Sequence, residues 1–215
     1  AAAGQLAIDV AAEQAFGLWA ATGLAYRGAG RLAQGRYAEA VADLRAGRDG
    51  YMAIGARLAV SYYTGMLAEA LWRSGAAGAA GAAEAYALLD EAFAHVEAHD
   101  ERFYEAELHR LKGEMLADGP DRDANVGAAA ACFDRAFDIA MSQGARPFAL
   151  RAAASRCRVL GGGGDGRGDD AANASAAADA WRALADALAA MPGDDELPDV
   201  VAARELLAAS RAYEG

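Results

Sequence analysis

A small residue returns at a nearly fixed interval along this chain, at Gly28, Ala68, Gly113 and Ser155. Spacings of about 40 to 45 residues fall in the range of helical-hairpin repeats. A small side chain at the same place in each hairpin lets the second helix lie close on the first, and such hairpins must stack to bury their faces. Alanine supplies more than a quarter of the residues and Val/Ile/Thr alternation is nearly absent. The alanine methyl loses no rotamer entropy in a helix, so composition points the same way as spacing. The expected fold is all-α: an α-solenoid of about four antiparallel helical hairpins with a C-terminal capping helix, forming one elongated domain over residues 1–215.

The hairpins are placed at about 6–53, 57–98, 101–143 and 147–190, with the capping helix at about 198–213. In the first, Leu6 to Gln34 reads as one helix, Gly35 as the turn and Tyr37 to Ala53 as the second helix. Leu67, Ala68 and Leu71 with Ala85, Leu89 and Ala92 mark the second hairpin, and Ala129, Phe133 and Ala136 the third. Asp118-Gly119-Pro120-Asp121 is a turn signal between the helices of the third hairpin. Pro147 suits a helix start, where its missing N–H has no partner to lose. The glycine-rich run in 161–170 is expected to be a flexible loop between the last two long helices.

A net charge of −11 opposes phosphate backbones and anionic lipid. Direct nucleic-acid binding and membrane association are therefore not expected. No apolar run approaches the ~20 residues of a membrane span, and residues 1–5 lack the basic start of a signal peptide. A cytoplasmic location is expected, and Cys132 and Cys157 read as small buried hydrophobes rather than a disulfide or metal ligands.

Gly28, Gly35, Tyr37, Ala40, Leu44 and Gly47 follow the order small, Gly, aromatic, Ala, large apolar, small, and so resemble the tetratricopeptide repeat. Glu101 to Glu114, read as ERFYEAELHRLKGE, looks like the hallmark stretch of the repeat region of large bacterial signalling proteins. Leu67-Ala68-Glu69-Ala70, Leu89-Asp90-Glu91-Ala92, Gln143-Gly144-Ala145 and Leu150-Arg151-Ala152-Ala153 are similar to further blocks of that region, and together they span about 16–160. Proteins of this kind carry a STAND or AAA-type ATPase, often with an adenylate cyclase domain or a LuxR- or SARP-type DNA-binding domain. The resemblance implies a sensing or scaffolding module with no catalytic residues and no cofactor of its own. Its partner would be a protein, a peptide, a neighbouring domain of the same polypeptide or a small effector. Carried over position by position, the inner face of the stack selects Tyr62, Glu69, Trp72 and Arg73, then Glu107, Arg110 and Glu114, then Arg156. The simpler reading of the third set is local, because Arg110 lies three residues after Glu107 and four before Glu114, where ion pairs stabilise their own helix.

A free-standing adaptor is the alternative within the binding class. The alternative from the enzyme class is a metal-dependent helical hydrolase using His95, His99 and His109. His95 and His99 are four residues apart on one helical face, a spacing that suits zinc, but the zincin pattern needs Glu directly after the first His. Histidines that favour the negative end of a helix dipole explain the pair as well, so no metal site is assigned. Glu84, Asp90, Glu91, Glu97 and Glu101 are expected on solvated helix surfaces.

Overall fold

The computed structural model describes residues 2–14, 16–75, 78–161, 170–191, 193 and 196–213. Among these residues the regular structure is helical: α1 Ala2–Gln14, α2 Gly17–Leu32, α3 Tyr37–Ala53, α4 Val60–Ser74, α5 Gly78–His99, a 3₁₀ turn Arg102–Tyr104, α6 Glu105–Asp118, α7 Arg122–Ser142, α8 Arg146–Gly161, α9 Asp170–Ala189 and α10 Pro198–Tyr213. The pairs α2/α3, α4/α5, α6/α7 and α8/α9 pack as neighbours. None of the described helices is long and apolar enough to cross a membrane. The chain divides into two compact units, residues 1–104 and 105–215.

In the first unit the segment expected as one helix from Leu6 to Gln34 is two, α1 and α2, which pack against each other. Glycines permit this. A Cβ on Gly4 would lie 2.5 Å from the backbone nitrogen of Arg27, and one on Gly23 would lie 3.0 Å from the carbonyl oxygen of Gly4. The approach of α3 to α2 is equally close, since a Cβ on Gly28 would meet Leu44 Cγ at 2.7 Å and one on Gly47 would meet Ala25 N at 2.6 Å. Ala25, Ala40 and Leu44 are fully buried there. The turn between α2 and α3 has Gly35 at φ 72°, with the amides of Gly35 and Arg36 donating back to Leu32 and Arg31. Gly144 (φ 68°) and Ala145 repeat this helix stop after α7, donating to Met141 and Ala140. Next, α4 buries Leu67, Ala68 and Leu71, and α5 buries Ala85, Leu89, Ala92 and Val96. Arg48 of α3 donates to the Thr64 hydroxyl of α4 at 2.9 Å and also reaches Glu91 of α5.

In the second unit Gly113 of α6 lies under the Phe133 ring of α7, where a Cβ would come within 2.5 Å of the ring. Ala117, Ala129 and Phe133 form one core cluster, and Ala106, Ile139, Ala140 and Ala149 another. A third joins Leu150, Ala153 and Cys157 to Ala180 and Leu184 of α9 and to Val200 and Ala203 of α10. Two boundaries differ from the sequence reading. Glu101 precedes the 3₁₀ turn instead of starting α6. Gly161 is the last residue of α8, held close by Trp181, whose ring a Cβ there would meet at 2.6 Å. The remainder of the glycine run, 162–169, lies outside the described residues.

Candidate functional site

The first unit carries a row of aromatic side chains. On α2, Trp19 and Tyr26 are seven residues apart, two turns along one helical face, with Thr22 between them. Both rings are more than half exposed, Trp19 at 58% and Tyr26 at 53%. Thr22 donates its hydroxyl to the Leu18 carbonyl at 2.8 Å, and on α4 Tyr63 is a buried residue whose hydroxyl pKa is pushed up to about 12 by burial, with Tyr26 and Tyr51 adding to the shift. Tyr63 meets Tyr51 edge-on at 5.3 Å and Tyr62 at 5.5 Å. Tyr62 continues the row to Tyr104, edge-on at 4.8 Å, and to Phe103 at 6.2 Å. Phe103 is 48% exposed. Of the residues selected from sequence, Tyr62 belongs to this row. Trp72 turns toward its own hairpin partner and meets Tyr86 of α5 edge-on at 5.8 Å, while Arg73 bonds Glu69 one turn back at 2.9 Å.

One acidic side chain departs from the surface expectation. Glu101 is 8% exposed and accepts hydrogen bonds from the Ala59 amide at 2.5 Å, the Ser61 amide at 3.0 Å and the Ser61 hydroxyl. It therefore caps the start of α4 from forty residues downstream, satisfying amides that have no partner within the helix. His95 Nε2 lies 3.8 Å from the same carboxylate and 3.2 Å from the Arg57 carbonyl oxygen, to which it donates. The His99 ring stacks on His95 at 4.0 Å, and its Nδ1 donates to the His95 carbonyl in the last turn of α5. His99 thus serves the carbonyl end of its own helix, as the simpler of the sequence readings has it, whereas His95 reaches across to the loop before α4. His109 belongs to the second unit, on α6, where burial lowers its pKa. Among the described residues no group of three or more His, Cys, Asp or Glu side chains could hold a metal ion.

In the second unit the three residues selected on α6 are linked into a ladder of ion pairs. Arg110 donates to Glu107 at 3.1 Å and to Glu114 at 2.6 Å, and Glu114 accepts from the Ser155 hydroxyl of α8 at 2.8 Å. Arg151 of α8 donates to Glu107 at 3.3 Å and to Asp199 of α10 at 2.6 Å. Burial opposes the charge on Arg151, but Glu107 and Asp199 outweigh it and raise its pKa. The ladder ties α6, α8 and α10 together, buried at Glu107, which is only 2% exposed, and open to solvent at Arg151 and Asp199. Arg156 pairs with Asp134 of α7 at 2.9 Å. Burial pushes the Cys157 thiol up to about 12 and raises that of Cys132, so both resist ionisation.

Sequence reasoning missed Trp19, Tyr26, Asp43, Arg151 and Asp199. Trp19 and Tyr26 were detectable from their seven-residue spacing. Asp43, buried and clamped by Arg27 at 2.6 and 2.7 Å and by Arg31 at 2.6 Å, adjoins Leu44 at the α2/α3 crossing, but no local pattern marks it. Comparison with protein-family models, curated proteins and solved structures yields no match.

Proposed function

We propose that this chain is a binding module of the tetratricopeptide kind, its hairpins stacked as repeats and α10 acting as the cap. It serves as a cytoplasmic sensing or scaffolding segment of a bacterial ATPase-type signalling protein or transcriptional regulator, and is not itself an enzyme. The observation that carries the reading is the aromatic row of the first unit, where Trp19, Tyr26 and Phe103 leave about half their surface in solvent beside a buried tyrosine cluster. Rings of this kind supply contact area at low conformational cost, and protein and peptide partners use them as anchors. The ion pairs Glu69–Arg73 and Glu107–Arg110–Glu114 support the role indirectly. They hold the helices from which a partner would be bound.

A photo-crosslinking residue placed at position 19, 26 or 62, in the native host, should give an adduct of one defined mass. The same residue at position 84 or 90, on α5, should give none. Adducts from 84 and 90 alone would overturn the assignment of the binding face. A Walker A motif encoded upstream of Ala1 is expected on this reading; a start codon immediately before Ala1 would instead make the chain a free-standing adaptor.

A further inference from the structure

Trp19 and Tyr26 stand two turns apart on one face of α2, separated by about 10 Å of helix rise, and both rings are more than half exposed. Thr22 lies between them. Its hydroxyl proton is committed to the Leu18 carbonyl at 2.8 Å, so toward any further group this hydroxyl can only accept. The two rings and the threonine bound a notch that offers π faces and acceptor oxygens. The side chains adjoining it carry the same sign. Burial raises the hydroxyl pKa of both Tyr51 and Tyr63, which meet edge-on at 5.3 Å; Glu101 and Tyr26 raise that of Tyr51 further, Tyr26 does so at Tyr63, and no cation lowers either. The arginines next along α2, Arg27 and Arg31, are turned to Asp43, which holds each at 2.6 Å.

The charge of the first unit points the same way. Residues 1–104 contain twelve carboxylates, eight arginines and no lysine. Seven of those arginines already pair with carboxylates of the unit, and Arg57 donates to the carbonyls of Met52 and Ala56. An electronegative aromatic notch in an acidic unit selects a cation. A guanidinium suits it better than an ammonium, because it is planar, stacks on indole and phenol faces, is weakly hydrated, and has several N–H donors to place on the Thr22 and Tyr26 oxygens. We propose that the notch between Trp19 and Tyr26 receives an arginine side chain from a basic peptide segment of the partner. The inference rests on the binding reading above and names the chemistry of what is bound.

A displayed library of random peptides, selected on the full chain, tests this. Recovered peptides should be enriched in arginine and depleted of aspartate and glutamate. They should be lost on Trp19→Ala and on Tyr26→Ala, two changes at exposed rings that should leave the circular dichroism of the chain unaltered. For the tightest peptide recovered, citrulline in place of its arginine keeps the shape and removes the charge. That exchange should weaken binding by about 3- to 30-fold, and binding of the arginine form alone should weaken as salt is raised. Peptides that need both rings but carry no arginine, or that bind equally well with citrulline, would overturn the inference and leave the binding reading standing. Peptides indifferent to both ring changes, or no enrichment of any sequence, would overturn the inference as well. Adduct formation at positions 19, 26 and 62 then judges the binding reading by itself.

Discussion

Gly47 and Gly50 lie about one turn apart on α3, yet the packing around them gives opposite expectations. A Cβ at Gly47 meets backbone atoms of α2, Ala25 N at 2.6 Å and Ala21 O at 2.8 Å, which cannot swing aside. At Gly50 the nearest atom is the Ala21 methyl at 3.5 Å, an ordinary contact. Gly47→Ala should therefore destabilise the first unit by about 1–3 kcal/mol or more. Gly50→Ala should stabilise it by up to about 1 kcal/mol through helix propensity, and thermal unfolding of the two variants checks the difference in sign. At His109 the expectation concerns pH. Burial lowers the folded pKa below the ordinary 6.5, with the nearby Arg135 and Lys112 acting in the same direction and Glu105 opposing. Between the folded and unfolded values the unfolded chain binds the extra proton. The contribution of His109 to stability is thus fully present above about 6.5, falls as pH drops through that window and is gone below the folded pKa. Denaturant titrations from neutral to mildly acidic pH should show the fall, and His109→Gln should flatten it.

The ladder through α6, α8 and α10 depends on mutual satisfaction, which makes it sensitive to losing one member. Arg110→Ala would leave Glu107, 2% exposed, with Arg151 as its remaining ion-pair partner. Breaking a buried pair by removing one side typically costs about 3–5 kcal/mol, so this variant should unfold at much lower denaturant than the parent. Arg182→Ala, which removes an exposed α9 pair with Asp179, should change stability by about 0.5 kcal/mol or less. Equal effects of the two would show that the α6 pairs do no more than local helix stabilisation. The ladder also explains why Glu107, Arg110 and Glu114 looked like site residues in the sequence: alternating charge on one helix face is the same pattern whether it meets a partner or an adjoining helix.

Each compact unit has its own buried residues, and the core clusters built on Leu150, Ile139 and Phe133 draw all their members from residues beyond 104. A fragment of residues 105–215 should therefore be helical by circular dichroism and unfold cooperatively by itself. A fragment that is helical but melts without cooperativity would show that its core needs the first unit. The net charge of −11 adds self-repulsion to any compact form of the chain, so moderate salt should raise the melting temperature of the whole protein.

The small-residue period, the alanine content and the turn signals were enough to determine the helical class, the paired helices and the crossings at Gly28 and Gly113, because these follow from propensity and spacing along one helix at a time. The split between α1 and α2 was not legible, since the apolar pattern continues through it and only the fit of Gly4 and Gly23 against facing backbone reveals two helices. The site was less legible still. Tyr62 emerged from position in the repeat, but its neighbours Phe103 and Tyr104 come from a segment forty residues away. Whether a charged residue faces solvent, an adjoining helix or a helix start is decided by distant partners: Glu101 and the amides of Ala59 and Ser61, Arg151 and Asp199. Periodicity fixes which side chains share a face of a helix; only the packed structure sets what that face meets, because desolvation and hydrogen bonding are properties of the pair and not of either residue.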